Sequence, residues 1–408
     1  MMTEQSNKLI RAAEILNTPL KLKNITFKNR FIRSATYDGY GDPNGMPALE
    51  TAEFFTKLAL GGSGAIITGF AYVTQAGRAS LPLQYGIDSD DKIEPWKNIV
   101  TAVRKKAPDV KLIMQIAHCG RQTRREITGL PVVGASKKKC TYYRQRVKSL
   151  NHTSILTIID EFGEAARRAK EAGFDGVQLH GAHGYLIHQF LSPWTNTRKD
   201  GWADGPMFLE EIIRAVRQRC GESFPILVKL SYKEDNNPGI RLENTIDTVK
   251  RLEKLGVDAV EISCCTTEYA LNIMRGACPI NVVLEVNPMF NRYPRFLLKL
   301  WKKFGARHYL KRFVPFTENY NLEAAERIKK ETSLPVITVG GIRGAESMAD
   351  CIAKSGLDGV ALCRPLIREP DLPARILNGT TARSTCTNCN LCTIYLDVPQ
   401  PVRCHVVS

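Results

Sequence analysis

What the 408-residue sequence lacks narrows the field first. No uninterrupted apolar run approaches the roughly 18 residues that mark a membrane-spanning helix, and residues 1–17 are too polar for a secretory signal. The expectation is a cytoplasmic protein with no transmembrane segment. No Gly-x-Gly-x-x-Gly unit is present, which excludes a resident dinucleotide held on a Rossmann turn. Acid is scarce beside base, 41 Asp and Glu against 57 Lys and Arg, a formal net charge of +16. The excess is uneven. Residues 121–148 hold nine Lys and Arg against Glu126 alone, and residues 290–312 hold eight and no acid. Such runs read as solvated surface, as attraction to nucleic acid or membrane, or as the rim of a site for an acidic ligand.

What is present alternates. Short apolar runs at 31–35, 65–68, 111–116, 176–180, 226–230, 259–263, 336–339 and 359–363 are separated by helical patterns at 48–60, 94–106, 159–172, 206–220, 243–255, 322–331 and 345–355. Gly62, Gly173, Gly256 and Gly356 stand where helices should end. Eight strands with alternating helices predict an α/β fold, a (β/α)8 TIM barrel over residues 1–380, with residues 20–27 as a hairpin closing its floor. Two stretches exceed a minimal barrel, 119–151 after the third strand and 264–321 after the sixth. Both follow strand C-termini and so should overhang the catalytic end as rims of one mouth. A basic amphipathic segment at 296–304 has a membrane-surface helix as its competing explanation.

The chain is organised around His180-Gly-Ala-His183-Gly-Tyr185, which leaves the end of the fourth strand. Two imidazoles there can hydrogen-bond a carbonyl oxygen while a phenol delivers a proton, a set suited to an activated alkene. A pair of satisfied histidines in a turn, or half of a metal site, are the alternatives. Gly340-Gly341 after the seventh strand and Cys363-Arg364 after the eighth stand where this fold binds phosphate, with glycine amides approaching the anion and a guanidinium fork beside them. Gln115 and Lys229 point to the same end. A flavin needs an amide at its pyrimidine edge and a cation near N1 and O2; a salt bridge inside the barrel is the other reading of Lys229.

These residues resemble the old yellow enzyme group of FMN-dependent ene-reductases, particularly the 2,4-dienoyl-CoA reductase branch, from Pro19 to Asp371. The resemblance implies FMN, with NAD(P)H as a co-substrate visiting the substrate's own pocket. It implies that His180 and His183 bind the substrate carbonyl, that Tyr185 protonates the alkene, and that Ser34, Ala35, Tyr37, Gly69, Gln115, Gly341 and Arg364 contact the flavin. Lys229 stands where the family usually has Arg, keeping the charge without the fork, and Tyr37 replaces the usual Thr or Cys. The implied activity is ping-pong reduction of an unsaturated carbonyl, an acyl-CoA included. An amine dehydrogenase or demethylase, and a non-catalytic flavin- or metal-binding module, are the other readings.

Residues 381–408 form a cysteine-rich tail. Cys386, Cys389, Cys392 and Cys404 follow a C-x2-C-x2-C-x11-C spacing, open to a [4Fe–4S] cluster, a structural zinc or bare thiols. In the resembled branch a cluster here receives electrons from a following domain, so a separate electron-donor protein is an expected partner. A homo-oligomer is a further expectation; nucleic acid is not.

Overall fold

The computed structural model describes residues 4–288, 290 and 293–406. Eight parallel strands close on themselves: β1 (Phe31–Arg33), β2 (Ala65–Ile67), β3 (Lys111–Ala117), β4 (Gly176–Gly181), β5 (Ile226–Ser231), β6 (Ala259–Ser263), β7 (Val336–Val339) and β8 (Gly359–Leu362). Neighbours pair in chain order, and β8 pairs with β1 to complete the (β/α)8 barrel. Every expected strand forms, with its bounds shifted by two residues at most. The left-handed φ of Gly62, Gly173, Gly256 and Gly356 (94°, 89°, 66° and 68°) ends the preceding helices as expected.

Period-two alternation divides each strand between two cores. On β3, Leu112, Met114 and Ile116 face the helices, whereas Ile113 joins Leu227, Ala259, Ile337 and Ala361 inside the barrel. A two-stranded hairpin, Leu20–Lys21 with Thr26–Phe27, adds Leu20, Leu22 and Phe27 to that inner cluster and plugs its floor.

Two helices depart from the sequence reading. His152–Glu171 starts seven residues earlier than expected, where Asn151 accepts a hydrogen bond from Ser154 N at 2.8 Å. Its first turn is polar, so apolar periodicity alone does not find it. Glu4–Leu16 is an unanticipated helix that buries Ala12, Ala13 and Leu16 and packs on helix Ala345–Ala353.

The two long connections and the tail all lie over the C-terminal ends of the strands. Residues 264–321 fold into Ala270–Met274, Ile280–Val286, Arg295–Phe304 and Ala306–Leu310. The tail is tied down by an isolated bridge between Gly344 and Arg383 and by Val402 N donating to Asp38 O at 2.8 Å.

Candidate active site

Above the apolar floor the inward positions turn polar. Gln115 donates to Gln178 at 2.7 Å, and Gln178 donates to Glu261 at 2.8 Å. Glu261 also accepts from the Ser34 hydroxyl and pairs with Lys229 Nζ at 3.0 Å, while Lys229 donates to Ser34 Oγ at 2.8 Å. Each of these five residues is buried. Buried charge persists only when paired and hydrogen-bonded, and Glu261 supplies the pair. Lys229 therefore makes the internal salt bridge of its alternative reading and still lines the cavity above, as Gln115 does.

His180 rises one strand across from Lys229, its register partner. The chain then reverses through His183 at φ 61° and Gly184 at φ 81°. Glycine suits 184, because φ 81° strains any residue with a Cβ, which would also meet Gln122 Nε2 at 2.4 Å. His183 is fixed at both ends: its N–H donates to Ser231 Oγ at 3.1 Å, and its Nε2 lies 2.8 Å from Ser263 Oγ. Tyr185 packs edge-on to His180, ring centroids 4.7 Å apart, and against Phe70 at 5.3 Å. Burial, then the charge of Lys229, pushes His180 well below its ordinary pKa; burial and the neighbouring His180 do the same to His183. Both imidazoles are therefore neutral. His180 Nδ1 accepts from Ala182 N at 3.4 Å, which leaves Nε2 to carry the proton. Burial raises the Tyr185 phenol well above its usual value, so it keeps its proton. The third histidine of the segment, His188, is structural: its Nε2 lies 2.9 Å from Glu234, which also accepts from Ser192.

These groups open into one cavity of about 1280 Å³. Ala35, Tyr37, Gln115, Lys229, Gly340, Gly341, Cys363 and Arg364 line it together with His180, His183 and Tyr185. Ser34 and Gly69 sit behind that wall. Gly69 N–H is already taken by Asp38, at 2.8 Å, and Tyr37 Oη accepts from Leu83 N at 2.9 Å.

At the β7–β8 end, Arg343 and Arg364 line the cavity beside the left-handed Gly340 and Gly341, and Arg275 lies next to Arg364, which donates to its carbonyl. Among the described residues none of the three has a carboxylate partner. Arg275 Nε and Arg343 Nε are buried without a hydrogen-bond acceptor. Two guanidinium groups with unused donors, Arg343 and Arg364, fit the phosphate of FMN, and Gln115 and Lys229 fit the edge of its ring. Arg364 is partly committed elsewhere, donating to Arg275 O at 2.9 Å, to Met274 O and to Asn390 Oδ1. Sequence reasoning missed Glu261, Gln178, Arg275 and Arg343. For Arg343 there was a signal in its place two residues after Gly341.

Both long connections and the tail wall the same cavity, but the basic runs are not simply its rim. Arg121 is buried in an ion pair with Glu268, and Lys138 lies over the Trp194 ring, 3.3 Å from its centroid. Arg124, Arg144 and Arg312 do line the cavity; Arg292 lies outside the described residues. The tail adds Asp397, whose carboxyl burial pushes up to about 6. Cys386, Cys389, Cys392 and Cys404 surround one small cavity of about 20 Å³. Yet among the described residues no three His, Cys, Asp or Glu side chains are grouped to hold a metal ion. The thiols converge without fitting a cluster or zinc as they stand.

Comparison with known proteins bears on the fold and the family. The chain is 32% identical to an NADH oxidase of Thermoanaerobacter brockii over 377 residues, 91% of this chain and 52% of that one. It therefore spans about half the length of that relative. A 2-naphthoyl-CoA reductase in complex with 2-naphthoyl-CoA superposes with TM-score 0.80 at 23% identity, covering 96% of this chain and 56% of the other. An old yellow enzyme homologue from Zymomonas mobilis gives 0.70 at 22% identity, covering 92% and 95%. Residues 15–290 and 306–382 match the NADH:flavin oxidoreductase / NADH oxidase family, and the chain belongs to that family, the old yellow enzyme group of NAD(P)H-dependent FMN oxidoreductases.

Proposed function

We propose that this chain uses FMN and NAD(P)H to reduce the C=C bond of an α,β-unsaturated carbonyl, either an enone or an enoyl or dienoyl thioester. One observation carries the reading: two neutral imidazoles and a protonated phenol converge on the cavity that Lys229 and Gln115 enter from below. FMN, when bound, supplies the two-electron store between nicotinamide and alkene. Gln115, Lys229, Arg343 and Arg364 would hold it.

The protein's own groups do the rest. His180 donates Nε2–H to the carbonyl oxygen, and His183, anchored on Ser263, orients beside it. Neutral donors polarise the alkene without giving up a proton, so negative charge developing on the oxygen is stabilised by hydrogen bonds set in advance. The Tyr185 phenol holds the proton that the α-carbon needs. Lys229, fixed by Glu261 and Ser34, presents positive charge at the cavity floor. The two long connections and the tail wall the cavity around these groups. The cavity volume, Arg124, Arg144 and Arg312 on its wall, and the 2-naphthoyl-CoA in its structural neighbour favour a CoA thioester.

The test is anaerobic stopped-flow in two halves. NAD(P)H should bleach the flavin, and an enone or enoyl-CoA should restore its colour. Protein without flavin, or reduced flavin that no unsaturated carbonyl reoxidises, removes the reading. Bleaching by amines in place of NAD(P)H would favour an amine dehydrogenase.

A further inference from the structure

Helix Arg295–Phe304 has two apolar faces, and the reductase reading uses only one. At about 100° per residue, Leu297, Leu298 and Trp301 fall on one arc, and all three line the cavity. Phe296, Leu300 and Phe304 recur at i, i+4 and i+8 on the adjoining arc and point outward, 69%, 54% and 69% exposed. Arg295, Lys299, Lys302 and Lys303 complete the circumference and are exposed. A soluble protein seldom leaves such a stripe uncovered.

The charge around the stripe says what covers it. Between Glu285 and Glu318 the sequence contains no acidic residue. Arg307, Lys311 and Arg312, on and just after the following helix Ala306–Leu310, are exposed as well. Among the described residues, none of these seven cations has a carboxylate partner. The helix also lies between the two stretches that match the family, 15–290 and 306–382, so it is not part of what defines the barrel. Among the described residues no helix is long and apolar enough to cross a membrane. A short helix with a row of large apolar side chains, flanked only by Lys and Arg, has the construction of an element that lies in an anionic lipid surface.

We infer that Arg295–Phe304 docks this protein on anionic bilayers. Phe296, Leu300 and Phe304 enter the boundary between headgroups and acyl chains, while Arg295, Lys299, Lys302 and Lys303 meet lipid phosphates. The adjoining arc of the same helix walls the active-site cavity, so docking sets one wall of that cavity at the lipid surface. The inference does not depend on the redox reading, and its test needs no turnover.

Vesicle flotation of the full chain decides it. The wild type should float with vesicles of equal phosphatidylcholine and phosphatidylglycerol and stay down with phosphatidylcholine alone. Raising salt from about 0.1 to about 1 M, which shortens the Debye length from about 10 to about 3 Å, should weaken binding at least about tenfold. The combined variant Phe296→Ser/Leu300→Ser/Phe304→Ser should lose about 100-fold in partitioning. Lys299→Ser/Lys302→Ser/Lys303→Ser should lose about as much, at roughly fivefold per cation near the surface. All six residues are exposed, so the circular dichroism melt of both variants should match the wild type. Failure of the wild type to float with anionic vesicles overturns the inference, as does equal flotation of the apolar-stripe variant. So does a wild-type dimer in light scattering that the stripe variant converts to monomer while neither floats; the stripe would then be covered by a second copy.

Discussion

Replacing Tyr185 with Phe isolates the proton that the proposed reaction needs. The ring keeps its contacts with His180 and Phe70, at 4.7 and 5.3 Å between centroids. Only the hydroxyl and its hydrogen bond with Thr267 are lost, about 1 kcal/mol of stability, so the variant folds. A positioned general acid contributes about 10²–10⁴-fold, which at 1.36 kcal/mol per decade is about 2.7–5.4 kcal/mol of barrier. That whole loss should fall on one half of the cycle. Hydride transfer from NAD(P)H to flavin requires no proton from Tyr185 and should stay within about twofold of the wild type. Reoxidation by the unsaturated carbonyl should slow by about 10²–10⁴-fold. Single-turnover stopped-flow reads the two separately. The raised phenol pKa adds a pH signature: wild-type reoxidation should show no tyrosine ionisation up to pH 10, since the proton is retained beyond the ordinary value. An equal fall in both halves, or an unchanged reoxidation rate, would refute the assignment of Tyr185 as proton donor.

Glu261→Gln strands Lys229 inside the barrel, and breaking a buried pair by removing one partner costs about 3–5 kcal/mol. Chemical denaturation should show this loss, and Glu261→Gln with Lys229→Met should recover part of it; a loss below about 1 kcal/mol would mean that the pair does not hold the floor. Acid should destabilise the protein through its buried histidines. Burial holds His118 at about 3 and His180 and His183 well below 6.5 in the folded state. The unfolded chain then binds more protons, so this stability is complete above pH 6.5 and falls below it by about 1.4 kcal/mol per histidine per pH unit. Asp397, raised to about 6, works the other way between about pH 6 and 4, so Asp397→Asn should steepen the acid loss in thermal melts. Dialysis against a metal chelator should leave both half-reactions within about twofold; selective loss of alkene reduction would place a metal in the electron path.

The barrel was legible because its signals are local. Each period-two strand, each helix-ending glycine and the strand-end His-x-x-His-Gly-Tyr is a signal that spans only a few residues. What the sequence hid depends on partners far along the chain. Glu261 reads as an anomaly in an apolar strand until Lys229 and Ser34 arrive from β5 and the end of β1. Arg121 looks like one more rim cation, but Glu268, 147 residues away, draws it into the interior. Helix Glu4–Leu16 precedes the first strand and so falls outside the strand–helix alternation that reveals the others; helix Ala345–Ala353, far along the chain, receives it.

The cysteine tail belongs to the phosphate end of the barrel more than its spacing suggests. Asn388 and Asn390 both take left-handed backbone, at φ 58° and 60°, where Asn is favoured among non-glycine residues. Their side chains accept hydrogen bonds from Arg343 and Arg364 respectively. Asn390 also donates to Ala277 O at 2.9 Å, tying the connection after β6 into the same knot. A guanidinium has five N–H donors, and Arg364 spends three of them on Asn390, Arg275 O and Met274 O. Two remain for an anion, and the spent three fix the direction in which those two point. On the proposed reading, the tail would act on flavin binding through the orientation of Arg364. That role follows from Asn388 and Asn390, and it holds whether or not the neighbouring thiols ever take a metal.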